Sequence, residues 1–168
     1  MFKRSAVWFL AVCLAILPAC SKQNFSAEDI VFSFACKIDV SGDCGSATCS
    51  FVRAGPQNAS VGILSGGAEG LNFDWSGGAF SVSYGKLSVE GGSCVLPGTS
   101  FASLLVGALD RAQQKEALTR NYGGEFSGRA GGFDFILKAD PATGRISELS
   151  VPDKKLQVKF YGYGEQKL

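Results

Sequence analysis

The sequence predicts an α+β fold that is mostly β: a curved antiparallel sheet, or incomplete barrel, wrapped around one main helix. Three observations predict it. Many short segments alternate apolar and polar residues with the period of two that is typical of strands. Glycine is abundant, 22 of 168 residues, and five Gly-Gly pairs separate these segments as turns would. One segment between them has helical spacing instead.

The first strand has the clearest alternation. Its apolar residues share one face, which we expect to point inward: Phe32, Phe34, Cys36, Ile38 and Val40. Shorter segments of strand type follow between turn residues and predict an antiparallel meander, at 49–54, 61–64, 71–75, 80–84, 87–89, 133–138, 146–151 and 156–160.

The helical segment follows Pro97-Gly98. Thr99 or Ser100 can cap it, and its apolar residues recur with the i, i+3, i+4 spacing of one helix face: Phe101, Leu104, Leu105, Ala108, Leu109 and Ala112. We predict a helix from about Ser100 to Ala117. An apolar helix stripe requires an apolar sheet face to cover it, so the helix is expected inside the curve of the sheet.

The N-terminus predicts export. Lys3 and Arg4 precede an apolar run from Ala6 to Leu17, which is shorter than the roughly 20 residues of a membrane span. The residues Leu17-Pro18-Ala19-Cys20 resemble the lipobox of bacterial lipoproteins, although Pro18 departs from the usual pattern. The resemblance implies cleavage before Cys20 and attachment of diacylglycerol, with palmitate, at that cysteine. An ordinary signal peptide with an incidental cysteine is the alternative.

This interpretation divides the chain into three parts. They are a lipoprotein signal peptide at 1–19, a lipidated polar tether at 20–28, and a single β-rich domain at 29–168. The mature protein is expected to be lipid-anchored in the cell envelope, either at the outer face of the cytoplasmic membrane or at the outer membrane.

Composition excludes several classes of function. The chain has no histidine, which excludes Ser-His-Asp and Cys-His nucleophiles and histidine metal ligands. Its 16 basic and 15 acidic residues nearly balance, so no basic field favours nucleic acid. An S-x-x-K match at Ser83 to Lys86 lies in a strand segment that points the two side chains to opposite faces. We expect no enzyme and no cofactor.

Four cysteines belong to the exported domain: Cys36, Cys44, Cys49 and Cys94. An even number in an exported protein suggests disulfides, with three possible connectivities. Cys44 and Cys49 flank a short loop and could form one bridge, while Cys36 could pair with Cys94 or stay a buried thiol. A zinc site of four thiolates is the alternative, but the paired C-x2-C spacing is missing, so no metal is expected.

Two stretches carry a family resemblance. They are Phe51-Val52-Arg53-Ala54-Gly55-Pro56, a strand that ends in Arg and Pro, and the closing part from Gly132 through Asp140 and Gly144 to Phe160. With the order of lipobox, meander, helix and closing hairpins, they resemble the LolA/LolB-like lipoprotein-carrier superfamily. The resemblance implies an incomplete barrel whose helix plugs an apolar cavity for acyl chains, and it makes Arg53 a candidate functional residue.

The inward aromatic residues leave two functions open. One is the binding of a lipid or another apolar ligand in a half-barrel cavity lined by Phe32, Phe34, Phe73, Trp75, Phe80, Phe133 and Phe135, with Leu105 and Leu109 as the helix plug. The other is a non-catalytic structural or interaction module, in which the same residues form a packed core. The sequence identifies no protein partner.

Overall fold

The computed structural model describes residues 25–43, 45–92, 98 and 100–164. The signal peptide and the lipidation of Cys20 therefore lie outside the described residues. The described strands are β1 Phe34–Gly42, β2 Gly45–Gly55, β3 Asn58–Ser65, β4 Leu71–Ser76, β5 Ala79–Tyr84, β6 Leu87–Gly92, β7 Leu118–Arg120, β8 Glu125–Ala130, β9 Phe133–Ala139, β10 Ile146–Val151 and β11 Leu156–Tyr161.

These strands form one open antiparallel sheet. Its order is β6-β5-β4-β3-β2-β1-β11-β10-β9-β8-β7, so β6 and β7 are its two edges. Consecutive strands pair through tight turns because Gly supplies the positive φ angles that those turns need, as at Gly77 and Gly78. The pairing of β1 with β11 joins the two halves of the chain in the middle of the sheet. The predicted mostly β fold with an unclosed sheet is confirmed.

The helix α1, Phe101–Ala112, shows that the sheet is strongly curved. Phe101 contacts Phe73 of β4, with ring centroids 6.2 Å apart, and α1 also packs on β8. These two strands lie seven positions apart in the sheet, which would separate them by about 34 Å if the sheet were flat. A 12-residue helix is about 18 Å long. The sheet therefore bends around the helix, as the sequence predicts.

The helix begins where predicted and ends five residues early. Ser100 is the N-cap, and its hydroxyl accepts a hydrogen bond from the Ser103 backbone N–H at 3.2 Å. The predicted end at Ala117 is wrong, because the last helical residue is Ala112. The apolar stripe stops at Ala112, and the polar residues that follow have no apolar surface to pack on the sheet. Glu116 then takes a left-handed φ of 59°, which is incompatible with a helix.

The chain enters the domain across one end of the sheet. Phe25 is buried and its ring centroid lies 5.6 Å from that of Phe126 in β8. After a short 3-10 turn, Ala27–Asp29, the Val31 backbone N–H donates to the Gly144 carbonyl at 2.9 Å. The folded domain therefore includes Phe25, a residue that was predicted to belong to the tether at 20–28.

One glycine permits this crossing. Gly144 has a φ of +69°, and a Cβ atom there would lie 2.2 Å from the Asp29 carbonyl oxygen. Only a residue without a side chain lets the two backbones approach so closely.

The core lies between α1 and the concave face of the sheet. The helix buries seven residues there, and each strand from β1 to β3 contributes alternate residues to the same face. Within the described part of the chain, no helix has the length and apolar character needed to cross a membrane.

Candidate apolar binding site

The nine residues predicted to line a cavity all belong to the hydrophobic core or pack against it. Six are buried: Phe32, Phe73, Phe80, Leu105, Leu109 and Phe135. The other three, Phe34, Trp75 and Phe133, are partly buried against the same core. The interior predicted from the alternation is therefore assembled, with the helix on one side and the sheet on the other.

Aromatic contacts fill much of this interior. Under the N-terminal half of α1, the Phe73 ring centroid lies 6.5 Å from those of both Trp75 and Phe80. Near β1, the Phe34 ring packs edge-on against Phe51 at 5.7 Å and against Tyr163 at 5.4 Å. Four open depressions on the described surface each include at most one of the nine predicted residues. None of these four depressions therefore brings the predicted residues together around one open cavity.

The concave face continues beyond the helix as an exposed apolar surface. Register places Tyr84 opposite Leu87, and Val82 opposite Val89, on the same face of the sheet as Phe73. Tyr84, Leu87 and Val89 are 56%, 74% and 59% exposed. We call Val82, Tyr84, Leu87 and Val89 the apolar strip. It is an extension of the core face that α1 does not cover.

Sequence reasoning missed the strip as a site. The alternation at 87–89 predicted the strand correctly, but it cannot distinguish a covered face from an open one. The signal that was available is the length of the predicted helix, because even a helix from Ser100 to Ala117 is too short to cover all the strand segments that the sequence predicts. An edge of the concave face had to remain open.

A buried ion pair fixes the C-terminal half of α1 to the sheet. The guanidinium of Arg53 in β2 is fully buried and donates to Asp110 Oδ1 of α1 at 2.9 Å. It also donates to the Phe32 carbonyl at 2.6 Å, and its Cζ atom lies 5.7 Å from the Phe32 ring centroid. Asp110 Oδ2 accepts the Gln57 backbone N–H at 3.0 Å. Arg53 thus joins the entering segment, the sheet and the helix.

The ion pair is not fully satisfied. Arg53 Nε is buried and has no hydrogen-bond partner among the described residues. A buried guanidinium with one unpaired N–H is costly, which makes its remaining partners important for stability. The resemblance of the strand that ends in Arg53 and Pro56 marked this residue, but nothing in the sequence identified Asp110, 57 positions away, as its partner.

An open groove of about 810 Å³ lies beside the end of the helix. One wall comes from the entering segment, including Ile30 and Phe32, and the other from the residues that follow Ala112. Polar and charged side chains such as Glu28 and Lys115 also line it. The groove is therefore a less apolar surface than the strip.

The inner-face cysteines are buried. Burial raises the pKa of the Cys36 thiol to about 12 and that of Cys49 to about 11, with the Asp39 carboxylate adding to the second shift. Both thiols are protonated at neutral pH, which makes them poor nucleophiles. Cys44 and Cys94 lie outside the described residues, so the disulfides proposed from the sequence stay a prediction. The described residues contain no group of three or more side chains suited to hold a metal ion.

The fold defines a class of protein, an open antiparallel half-barrel with one covering helix. No family model and no curated protein matches the sequence. Among solved structures, the chain is similar to a LolA superfamily protein from Nitrosomonas europaea, at 12% identity and a TM-score of 0.44, over 87% of this chain and 92% of that one. It is also similar to LprF from Mycobacterium bovis, at 9% identity and a TM-score of 0.41, over the same shares. At such identities, the function has to be inferred from the chain's own residues.

Proposed function

We propose that this protein is a non-catalytic lipoprotein of the cell envelope that binds a lipid or another apolar ligand on the concave face of its sheet. The observation that carries the proposal is the apolar strip. A soluble surface rarely leaves adjacent Tyr, Leu and Val side chains more than half exposed on the face that elsewhere forms the core. A ligand that covers the strip completes that face.

The strip offers enough apolar surface for binding but not for tight binding on its own. Burying a Leu or Val side chain is worth about 1.5–3 kcal/mol, and binding loses several kcal/mol in motional freedom. An acyl chain that lies only along Leu87 and Val89 therefore binds weakly. Tighter binding requires the ligand to extend toward Phe80 and Phe73, under the N-terminal half of α1.

The contacts of the helix favour entry at that half. Arg53 and Asp110 hold the C-terminal half of α1 through charged hydrogen bonds. The N-terminal half is held against the sheet by contacts such as Phe101 with Phe73, which another apolar group can replace. Displacement of the N-terminal half exposes the aromatic residues next to the strip, while the ion pair keeps the rest of the helix in place.

A titration with a fluorescent fatty acid tests this site. The protein is prepared without its signal peptide and with Cys20→Ser, so that it stays in solution. The double variant Leu87→Ser/Val89→Ser is expected to bind at least tenfold more weakly, because two apolar contacts are lost. The matched control is Leu64→Ser. Leu64 is 50% exposed and lies on the convex face of β3, so its replacement is expected to leave binding unchanged. Equal affinity for all three proteins contradicts the site.

The anchoring is proposed from the lipobox resemblance. The last residue before the described domain, Asn24, is four positions from Cys20, so the domain would lie close to the membrane surface. Mass spectrometry of the N-terminal peptide from the native protein tests it. A Cys20 residue carrying diacylglycerol and acyl groups supports the anchor, and an unmodified or internal Cys20 contradicts it.

The packing of the nine predicted residues favours the second candidate, a structural or interaction module with a filled core. Buried aromatic contacts such as Phe73 with Phe80 stabilise the ligand-free state. In that case no apolar compound binds, and the strip is a contact surface for a protein. The fluorescent titration separates the two functions, since the module predicts no saturable binding of the fatty acid.

A further inference from the structure

We infer that the end of the domain carrying Val31, Tyr122, Pro141 and Ala142 docks on the lipid bilayer. We call these four residues the docking surface. The inference rests on the proposed anchor at Cys20 but concerns a different surface from the ligand site. It assigns a membrane-facing end to the domain and a contact residue, Tyr122, to the bilayer.

Strand direction places the docking surface at one end of the sheet. Tyr122 lies in the turn before β8, and Pro141 and Ala142 lie in the turn between β9 and β10. Two hydrogen bonds join the neighbouring segments: the Ala139 N–H donates to the Gly124 carbonyl at 2.9 Å, and the Val31 N–H donates to the Gly144 carbonyl at 2.9 Å. The two turns and the entering segment therefore form one continuous surface.

The first described residue, Phe25, which follows Cys20 in the chain, also lies at this end of the domain. Phe25 packs against Phe126, and Phe126 is only four residues after Tyr122 in the chain. Cys20 is five residues before Phe25, and an extended chain of that length spans about 17 Å. A lipid on Cys20 therefore holds this end of the domain within the reach of the headgroup region, while the opposite ends of the strands point away from the membrane.

The exposed side chains at this end suit a bilayer interface. Tyr122 is 97% exposed at the tip of a turn whose next residues, Gly123 and Gly124, have φ angles of 67° and 82°. A tyrosine that projects from a two-glycine turn has no role in the core. Its ring is apolar and its hydroxyl polar, which is the combination enriched at the headgroup level of membranes. Val31, 42% exposed, adds a second apolar side chain at the same end of the domain.

The charges at this end carry no strong preference for anionic lipid. Arg120 and Arg145 lie near the two turns, and so do Glu28 and Asp140. Asp140 accepts hydrogen bonds from the Ala142 N–H and the Thr143 hydroxyl, and these lower the pKa of its carboxyl, so it stays charged. Because both signs are present, docking depends on Tyr122 and Val31, and zwitterionic vesicles suffice to test it.

Tryptophan quenching in vesicles tests the docking. The full lipidated protein is reconstituted into phosphatidylcholine vesicles with or without brominated acyl chains, and Tyr122→Trp is compared with the parent protein, whose mature chain holds Trp75 alone. The matched control is Leu64→Trp. Leu64 lies on the convex face near the last residue of β3, at the end of the sheet opposite the docking surface. We expect the emission added at position 122 to be quenched at least twofold by bromine and the emission added at position 64 to be unchanged.

The outcomes separate this inference from the proposed function. Equal quenching at positions 122 and 64 in a lipidated protein overturns the docking alone. An N-terminal peptide without lipid at Cys20 overturns the anchor and the docking with it. A third probe, Tyr84→Trp, reports on the ligand site: brominated lipid that enters the strip quenches it whether or not position 122 contacts the bilayer.

Discussion

Replacing Asp110 by alanine removes the carboxylate that faces the buried guanidinium of Arg53. The side chain of Arg53 is inaccessible to water, while that of Asp110 is 21% exposed. The variant leaves a charge buried with the Phe32 carbonyl as its remaining acceptor. It also removes the acceptor of the Gln57 N–H, which fixes the turn between β2 and β3.

The magnitude follows from this burial. Removing one partner of a buried ion pair costs about 3–5 kcal/mol. The lower end of this range applies here because Asp110 is partly exposed, so that water can reach the Arg53 guanidinium once the carboxylate is removed. We therefore expect the free energy of unfolding to fall by about 3 kcal/mol, which corresponds to a Tm lower by roughly 10 °C for a domain of this size.

Urea unfolding of the Cys20→Ser protein, followed by far-ultraviolet circular dichroism, measures the loss. The matched control is Asp134→Ala, which removes an exposed carboxylate 3.7 Å from Arg129. Exposed pairs contribute about 0–1 kcal/mol, so this variant is expected to unfold near the wild-type midpoint. If both variants lower the midpoint by the same small amount, the structural role assigned to the Arg53–Asp110 pair is wrong.

Two further predictions concern the backbone crossing and the thiols. Gly144→Ala places a Cβ atom 2.2 Å from the Asp29 carbonyl oxygen. The variant is therefore expected to release the entering segment from the sheet and to speed proteolysis of that segment. The control is Gly131→Ala, where φ is positive but the space is open, and we expect it to lower the free energy of unfolding by only about 1 kcal/mol. In the folded state the pKa of Cys36 is raised to about 12 and that of Cys49 to about 11, from an ordinary 9.0. The neutral thiols therefore contribute their full share to the free energy of unfolding below pH 9, and this contribution is lost as the pH rises toward 11 and 12. Urea midpoints measured at pH 8 and pH 10 should therefore differ more for the wild type than for Cys36→Ala/Cys49→Ala, and an equal difference contradicts the burial of the thiols.

The strands could be predicted because their signal is local. Alternation with period two depends only on neighbouring residues, and it placed Cys36, Ile38 and Val40 correctly on the buried face. The start of the helix was predictable for the same reason, since Ser100 caps its own first turn. Its end was not, because the polar residues after Ala112 are compatible with a helix, whereas the apolar stripe that packs on the sheet stops at Ala112 and Glu116 takes a left-handed φ.

The candidate site depended on contacts that no local pattern encodes. Arg53 and Asp110 are joined only after the helix packs inside the sheet, so the sequence offers no reason to pair them. The exposure of Leu87 and Val89 depends on how far α1 reaches across the sheet. Phe25 looked like part of a polar tether because its neighbours are polar, whereas its own ring reaches Phe126.

Native mass spectrometry of the domain, with Cys20→Ser and purified without detergent from its expression host, tests the central claim most directly. The account predicts a mass excess equal to one apolar molecule, released on denaturation and identified as an acyl compound, and a much smaller bound fraction for Leu87→Ser/Val89→Ser. A mass equal to that of the chain alone, unchanged after incubation with fatty acids or phospholipid, would contradict ligand binding and leave the packed interaction module as the function.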